Sequence, residues 1–149
     1  MTRVPIEGHI ELDRGTYDAL IAHARSDAPY EVCGLLATDG EGVAAHYEIP
    51  NAARSMTYYN MEPKALLRAM HDMEDRGWDL LAIYHSHPHT EAFPSATDVE
   101  LAFYPDATYV IVSLQEPDQP TLRAFSIRNG DVTEKIVIVD GEEAPAGPR

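Results

Sequence analysis

Cysteine is nearly absent from this sequence of 149 residues, in which Cys33 is the only one. A single thiol cannot form an intrachain disulfide, and it cannot supply the Pro-Cys-x-x-Cys element that zinc deaminases require. Cys33 would share a face with Glu31 on a continuing strand, so a nucleophile or a metal ligand is conceivable there. We interpret Cys33 instead as a small thiol buried in the core.

Basic residues are also few, with 11 Lys and Arg against 25 Asp and Glu and a formal net charge of −14. Nucleic acids are bound through clustered positive charge, and a surface this acidic would repel them. We therefore exclude nucleic acid as a partner and expect proteins or peptides.

Long apolar runs are missing as well, because charged residues or helix breakers interrupt every hydrophobic stretch. The sequence therefore predicts a soluble protein that no membrane-spanning segment anchors. Its amino terminus lacks the apolar stretch of a signal peptide, so we expect a cytoplasmic location. The length suits one domain, which we predict over residues 1–139, followed by a flexible C-terminal tail over residues 140–149.

The hydrophobic pattern predicts strands and helices that intermix along the chain. Runs that alternate or stay apolar predict strands at residues 4–12, 32–38, 43–49, 80–84, 108–114, 122–128 and 132–139. Helical periodicity and stop signals predict helices at residues 16–25, 60–76 and 95–103. Hairpin turns are predicted at Asp39-Gly40-Glu41-Gly42 and Asn129-Gly130. This order predicts an α/β or α+β fold, in which a mixed sheet is flanked by helices.

Two histidines separated by one residue follow the apolar run at residues 80–84. Successive side chains of a strand point to opposite faces, so His85 and His87 should point the same way. A catalytic zinc ion typically takes three protein ligands and leaves its fourth position for water. Asp98, which follows His87 after ten intervening residues, can supply the third ligand. The pattern predicts a catalytic metal site.

This set of residues resembles the signature of the JAMM (also called MPN-plus) metalloproteases. That signature is a distant glutamate, then His-(Ser/Thr)-His-Pro, then Ser-x-x-Asp, and its positions are matched in order and spacing by Glu31, His85, His87, Ser95 and Asp98. The resemblance covers almost the whole chain. It implies a mixed sheet sandwiched by helices, as in cytidine deaminases, a bound Zn²⁺ and the hydrolysis of a peptide or isopeptide bond.

The resemblance also implies a substrate class. JAMM enzymes commonly cut after the C-terminal Gly-Gly of ubiquitin or a ubiquitin-like protein, and this chain looks like the compact prokaryotic members of the family. Some of those release cysteine or an amine from the C-terminus of a small sulfur-carrier protein, a step in cysteine biosynthesis. A ubiquitin-like or sulfur-carrier protein is therefore the expected partner, and the oligomeric state is left open.

The two remaining residues of the motif have the chemistry that hydrolysis needs. A general base must take the proton of the attacking water and return it to the leaving amine, and a carboxylate near the metal but outside its ligand set suits this task. We assign that role to Glu31. The oxyanion of the tetrahedral intermediate needs a hydrogen-bond donor, and Ser95 lies three residues before a ligand. We assign that role to its hydroxyl.

Each part of the motif also has a simpler explanation. Ser95 and Asp98 are a typical start of a helix, paired histidines are often a polar strand end, and Glu31 could be a surface residue after a helix. Their joint occurrence favours the metal site. His89 and Thr90 are either rim residues of a cleft or part of a solvated loop.

Some residues have no settled role in the sequence. Three residues before the second predicted helix either line a peptide groove or pack in the core: Tyr58, Tyr59 and Met61. Four histidines are assigned to solvent-exposed faces without partners: His9, His23, His46 and His71. The alternative functions are an inactive MPN-type scaffold that only binds partners and a non-haem iron oxygenase.

Overall fold

The computed structural model describes residues 4–146, which form three helices and one eight-stranded sheet. The strands are β1 (Ile6–Leu12), β2 (Cys33–Thr38), β3 (Val43–Ile49), β4 (Asp79–His87), β5 (Thr108–Ser113), β6 (Thr121–Arg128), β7 (Asp131–Val139) and β8 (Glu142–Glu143). The helices are α1 (Arg14–Ser26), α2 (Pro63–Arg76) and α3 (Ala96–Glu100). Within residues 4–146, no helix has the length and apolar character needed to cross a membrane.

The sheet is mixed, which confirms the predicted fold class. Its strand order is β1-β7-β6-β5-β4-β2-β3, and β8 pairs with β7. The pairs β1–β7 and β4–β5 are parallel, and the other pairs are antiparallel. β4 thus lies inside the sheet, and its C-terminal end meets the start of β2, where His85 pairs with Cys33.

The sheet separates two apolar clusters. On one face, α1 buries Leu20 against Tyr84 of β4 and residues of several other strands. On the other face, α2 buries Met73 in a cluster that includes Ile83. Because neighbouring residues of a strand alternate between faces, the two histidines that end β4 lie on the same face as Ile83. The candidate ligands therefore share the α2 side of the sheet.

The periodicity predicts a helix that starts at residue 60, but helix α2 begins at Pro63. The Glu62 carboxylate accepts hydrogen bonds from the backbone N–H groups of Lys64 and Ala65, so it caps the helix. Pro63 suits the first turn, where a missing N–H loses no helical hydrogen bond. The predicted stop is confirmed, since Gly77 ends the helix with a φ of 71°.

Helix α3 is also shorter than predicted, because it ends at Glu100 and not at residue 103. The N–H of Ala102 donates to the carbonyl of Val99 at 3.3 Å, a tightened final turn from which the chain leaves the helix. The periodic pattern does not distinguish this turn from a continuing helix.

The segment that begins at Asp140 was predicted to be a loose tail, but its first part is ordered. Asp140 and Gly141 both have positive φ angles, 50° and 86°, which form the turn of a hairpin between β7 and β8. Ala144 packs against the core, and its N–H donates to the carbonyl of Val137 at 2.8 Å. The dipeptide Asp140-Gly141 is itself a hairpin signal, which explains this turn. Residues 147–149 lie outside the described residues.

Candidate metal centre

The two histidines at the end of β4 are buried and point to one place. His85 and His87 are 1% and 4% exposed, and their Nε2 atoms lie 3.1 Å apart. They share a face because one residue separates them on an extended strand. That residue, Ser86, faces the other way, and its hydroxyl accepts a hydrogen bond from the N–H of Val32 at 2.8 Å. Ser86 therefore fixes the start of β2 to the end of β4.

Asp98 reaches the same place from the first turn of α3. The Ser95 hydroxyl accepts from the N–H of Asp98 at 3.0 Å, and Oδ2 of Asp98 accepts from the N–H of Ser95 at 2.9 Å. The pair is thus a capping box, so the helix-start interpretation of this sequence is correct. The same Oδ2 lies 3.1 Å from Nε2 of His85 and 3.0 Å from Nε2 of His87. The cap therefore orients Asp98 toward the histidines.

The protonation and spacing of the three side chains suit binding of a cation better than hydrogen bonding among themselves. Nδ1 of His87 lies 2.8 Å from the carbonyl oxygen of Glu91, which can only accept, so Nδ1 carries the proton and a neutral ring turns the Nε2 lone pair inward. That lone pair faces a carboxylate oxygen of Asp98. Ligands at 2.0–2.1 Å from a tetrahedral zinc ion lie roughly 3.3 Å apart, close to the spacing found here. The His85, His87 and Asp98 cluster could hold a metal ion.

Electrostatics within the cluster favour the ligand forms of two of its members. Burial alone would raise the pKa of Asp98, but its contacts with His85 and His87 outweigh burial and lower that pKa, so the carboxylate stays ionised. Burial lowers the pKa of His85, which keeps the ring neutral. Burial also opposes the charged form of His87, but contacts with Asp98 and the carbonyl of Glu91 raise its pKa overall.

Glu31 lies just before β2, where the antiparallel register places it beside the end of β4. Its backbone is held on both sides, because its N–H donates to the carbonyl of Ser55 and its own carbonyl accepts from the side chain of Asn51. The side chain is 2% exposed, and among residues 4–146 its Oε1 atom has no hydrogen-bond partner. Burial raises the pKa of Glu31 to about 8. A buried carboxylic acid with such a pKa can exchange a proton near neutral pH.

A loop over residues 51–61 covers one side of the cluster. Asn51 organises it, because its side-chain amide donates to the carbonyls of Glu31 and Tyr58 and its Oδ1 accepts from the N–H groups of Ala53 and Asn60. Tyr59 stacks on the ring of His85 with a centroid distance of 4.6 Å. Sequence reasoning missed Asn51, since no local pattern marks a side chain whose partners are distant backbone groups.

An apolar groove of 210 Å³ opens next to Asp98. The residues that line it include the three whose role the sequence left open: Tyr58, Tyr59 and Met61. Tyr59 and Met61 also pack against the core, whereas Tyr58 is exposed. Leu101, Phe103 and Tyr104 line it from the other side.

Two other predicted or conceivable site residues lie outside the cluster. Cys33 is buried, its thiol donates to the carbonyl of Ile49 at 3.3 Å, and burial raises its pKa to about 12. The prediction of a core thiol is confirmed. His89 lines a different cavity, at the end of the sheet.

The placement of His23 and His46 on exposed faces without partners is wrong. Nδ1 of His23 and Nε2 of His46 each lie 2.6 Å from the phenol oxygen of Tyr84, and both rings are half-buried. The Tyr84 ring reaches β3 across Gly34 of β2, where a Cβ atom would overlap it. No periodic pattern connects residues from α1, β3 and β4, so this cluster has no signal in the sequence.

Comparison with known proteins establishes the family. Residues 13–128 match the family of prokaryotic homologs of the JAB domain, and the chain belongs to it. The chain is 44% identical over 124 residues to the CysO-cysteine peptidase of Mycobacterium tuberculosis, covering 82% of this chain and 85% of that protein. It is 38% identical over 103 residues to the desampylase of Haloferax volcanii, covering 64% of this chain and 74% of that protein.

Solved structures agree with this assignment. A protein of Desulfitobacterium hafniense matches 89% of this chain and 94% of its own with a TM-score of 0.78 and 39% identity. A structure described as a JAMM metalloprotease-like zinc site in the proteasome and signalosome matches 87% of this chain and 98% of its own, with a TM-score of 0.55. At 18% identity, that likeness supports the fold alone. The resemblance to JAMM proteins and the JAMM fold are therefore confirmed, and the relatives named above are hydrolases.

Proposed function

We propose that this chain is a zinc-dependent hydrolase that cuts after the C-terminal Gly-Gly of a small sulfur-carrier or ubiquitin-like protein. The observation that carries the proposal is the convergence of His85, His87 and Asp98, with the buried carboxyl group of Glu31 beside them. The similarity to a CysO-cysteine peptidase over 82% of the chain favours an adduct of cysteine as the substrate.

In this proposal His85, His87 and Asp98 hold the zinc ion. When bound, zinc lowers the pKa of a water ligand to about 7 and polarises the scissile carbonyl. Glu31 takes the proton of the attacking water as its oxygen bonds to the carbonyl carbon. It then returns the proton to the nitrogen as the carbon–nitrogen bond breaks, so the leaving amine departs neutral. Burial raises the pKa of Glu31 to about 8 in the metal-free protein, and the positive charge of a bound zinc ion would lower that pKa and favour the ionised form that accepts the proton.

Ser95 combines two roles. Its oxygen accepts the N–H of Asp98, which orients a metal ligand, and its own O–H remains available as a donor. We assign that donor to the oxyanion of the tetrahedral intermediate. The cap and the catalytic role use different parts of one hydroxyl group, so they do not compete.

The apolar groove beside Asp98 provides a place for the substrate on the acyl side of the bond. Its lining is aromatic and aliphatic, which suits the side chains of an extended segment that precedes Gly-Gly. Tyr58, Phe103 and Tyr104 are 44%, 72% and 43% exposed, so they are free to contact a partner.

The proposal is tested by metal content and cleavage measured on the same purified protein. The substrate is a ubiquitin-like protein that carries cysteine or a lysine peptide after Gly-Gly, assayed with and without a chelator. We expect one zinc ion per chain and chelator-sensitive release of the intact modifier. Asp98→Asn should lose both, whereas Glu100→Gln, an exposed position of the same helix, should retain both. Zinc binding without cleavage of either adduct would favour the scaffold alternative.

A further inference from the structure

A buried hydroxyl group at the end of β5 lies beside the metal centre. Ser113 is the register partner of His87 on the neighbouring parallel strand, so the two side chains point to the same face of the sheet. Its oxygen accepts from the N–H of Gln115 at 3.1 Å, and its O–H donates to the carbonyl of Thr90 at 2.5 Å. The hydroxyl thus joins β5 to the segment over residues 88–94, which follows the ligand.

That segment forms neither helix nor strand, so its backbone groups are held by individual contacts and not by a regular ladder. The carbonyl oxygen of Glu91 lies 2.8 Å from Nδ1 of His87 and accepts from the N–H of Phe93 at 2.8 Å. The carbonyl just before it, that of Thr90, is the one that the Ser113 hydroxyl holds. The position of one carbonyl therefore sets that of the next.

The contact between Glu91 and His87 decides which ring nitrogen of this ligand faces a metal ion. Nδ1 must carry the proton, because a carbonyl oxygen only accepts, and the Nε2 lone pair is left for the ion. Histidine ligands commonly depend on such a second hydrogen bond, whose loss lowers metal affinity or activity about 10- to 100-fold. Among residues 4–146, the buried Nδ1 atom of His85 has no hydrogen-bond partner. His87 is therefore the histidine whose orientation depends on the segment.

We propose that Ser113 is a positioning residue for the metal centre. By holding the carbonyl of Thr90, its hydroxyl keeps the carbonyl of Glu91 in place to accept from Nδ1 of His87. That acceptor is a backbone group, which no substitution removes, so the side chain that anchors it controls how the ligand is oriented. This inference rests on the proposed function and deepens it, because it names a residue outside the ligand set on which the proposed zinc site depends.

The test compares Ser113→Ala with Thr108→Val, a matched control at the other end of the same strand. Both side chains are 3% exposed, and the Thr108 hydroxyl accepts from Nζ of Lys135 at 2.7 Å. Each substitution removes a buried hydroxyl group from a hydrogen bond, so each should lower the midpoint of thermal unfolding. Only Ser113→Ala should raise the Kd for zinc, by about tenfold, in competition with a zinc-binding dye. Ser113→Thr, which keeps the hydroxyl, should recover most of the affinity.

A second measurement observes the hydrogen bond itself, by NMR of the zinc-loaded, isotope-labelled protein. The Nδ1 proton of His87 should exchange slowly with solvent in the wild type, since the ring is 4% exposed and the proton is donated to a carbonyl. Thr108→Val should keep this slow exchange, whereas Ser113→Ala should exchange the proton faster. A general loss of stability would affect the two variants alike, so the comparison distinguishes positioning from packing.

Equal zinc affinity in Ser113→Ala and Thr108→Val would overturn this inference, and so would unchanged exchange of the His87 proton in Ser113→Ala. The proposed function would still stand if the wild type bound zinc and cleaved a substrate that ends in Gly-Gly-Cys. A wild type that bound no zinc would remove the proposed function and this inference with it. Ser113→Cys, whose thiol is a weak donor, takes the place of Ser113→Ala with the same expectation if the alanine variant does not fold.

Discussion

Replacing Glu31 with Gln should abolish catalysis, leave zinc binding intact and change how the free energy of unfolding depends on pH. Burial raises the pKa of Glu31 from 4.5 to about 8, so the folded state holds this proton more tightly than the unfolded chain does. Its contribution to the free energy of unfolding is therefore complete below pH 4.5 and is lost as the pH rises toward 8. At about 1.4 kcal/mol per pH unit, the metal-free wild type should lose about 3 kcal/mol relative to Glu31→Gln between pH 4.5 and about pH 7.

Three measurements on the two proteins test this reasoning. Urea unfolding in the presence of a chelator gives the free energy at both pH values, metal analysis gives the zinc content, and cleavage of the Gly-Gly-Cys substrate gives kcat. Glu31→Gln should keep zinc and lose at least about 10²-fold in kcat, since general acid–base catalysis typically contributes that much. An equal stability difference at both pH values would show that Glu31 is not a buried acid. A kcat within tenfold of the wild type would refute its assignment as the base.

Three further predictions concern the surroundings of the site. Ser95→Ala should cost about 1 kcal/mol in urea unfolding through the lost cap and lower kcat by about 10²-fold at unchanged zinc content. A loss of kcat in proportion to a loss of zinc would instead reduce Ser95 to a residue that orients Asp98. Gly34→Ala should destabilise the protein by about 3 kcal/mol, because a Cβ atom would overlap a backbone carbonyl of β3. Gly42→Ala, where a Cβ atom meets open space, is the control. Equal unfolding midpoints for the two variants would contradict the packing argument. Burial lowers the pKa of His23 and of His46, so the unfolded chain takes up protons before the folded protein as the pH falls below about 6.5, and the free energy of unfolding should fall with pH. The double variant His23→Asn, His46→Gln should lose less of this free energy over the same pH range in urea titrations. An unchanged dependence on pH would exclude these histidines as its source.

The metal cluster was largely predictable because its geometry is local. A spacing of two on a strand places His85 and His87 on one face, whatever the rest of the fold does. Ser95 and Asp98 matched both a helix cap and a ligand motif. The cap is confirmed, and the capping box turns the carboxylate of Asp98 toward His85 and His87, as the ligand prediction requires. The hairpin at Asp140 is local as well, but its Asp-Gly signal lies in a segment whose polar composition predicts a tail.

The surroundings of the cluster were not predictable because they depend on strand order. Tyr84 meets His46 across an intervening strand, which is possible only because Gly34 has no side chain at that point. Asn51 and Tyr59 approach the site from a loop whose path is set by contacts with distant backbone groups. Such contacts join residues that are far apart in sequence, and no periodicity records them.

The sequence by itself determined which side chains converge on the candidate site, the order in which they occur and the elements that carry them. It could do so because strand alternation and helix capping act over a few residues. Only the tertiary structure decided that Glu31 is buried beside the histidines, because the antiparallel register of β2 and β4 brings it there. The tertiary structure alone also brought His23 of α1 and His46 of β3 to the phenol oxygen of Tyr84. Both placements follow from packing between distant segments, which the local pattern of the chain does not specify.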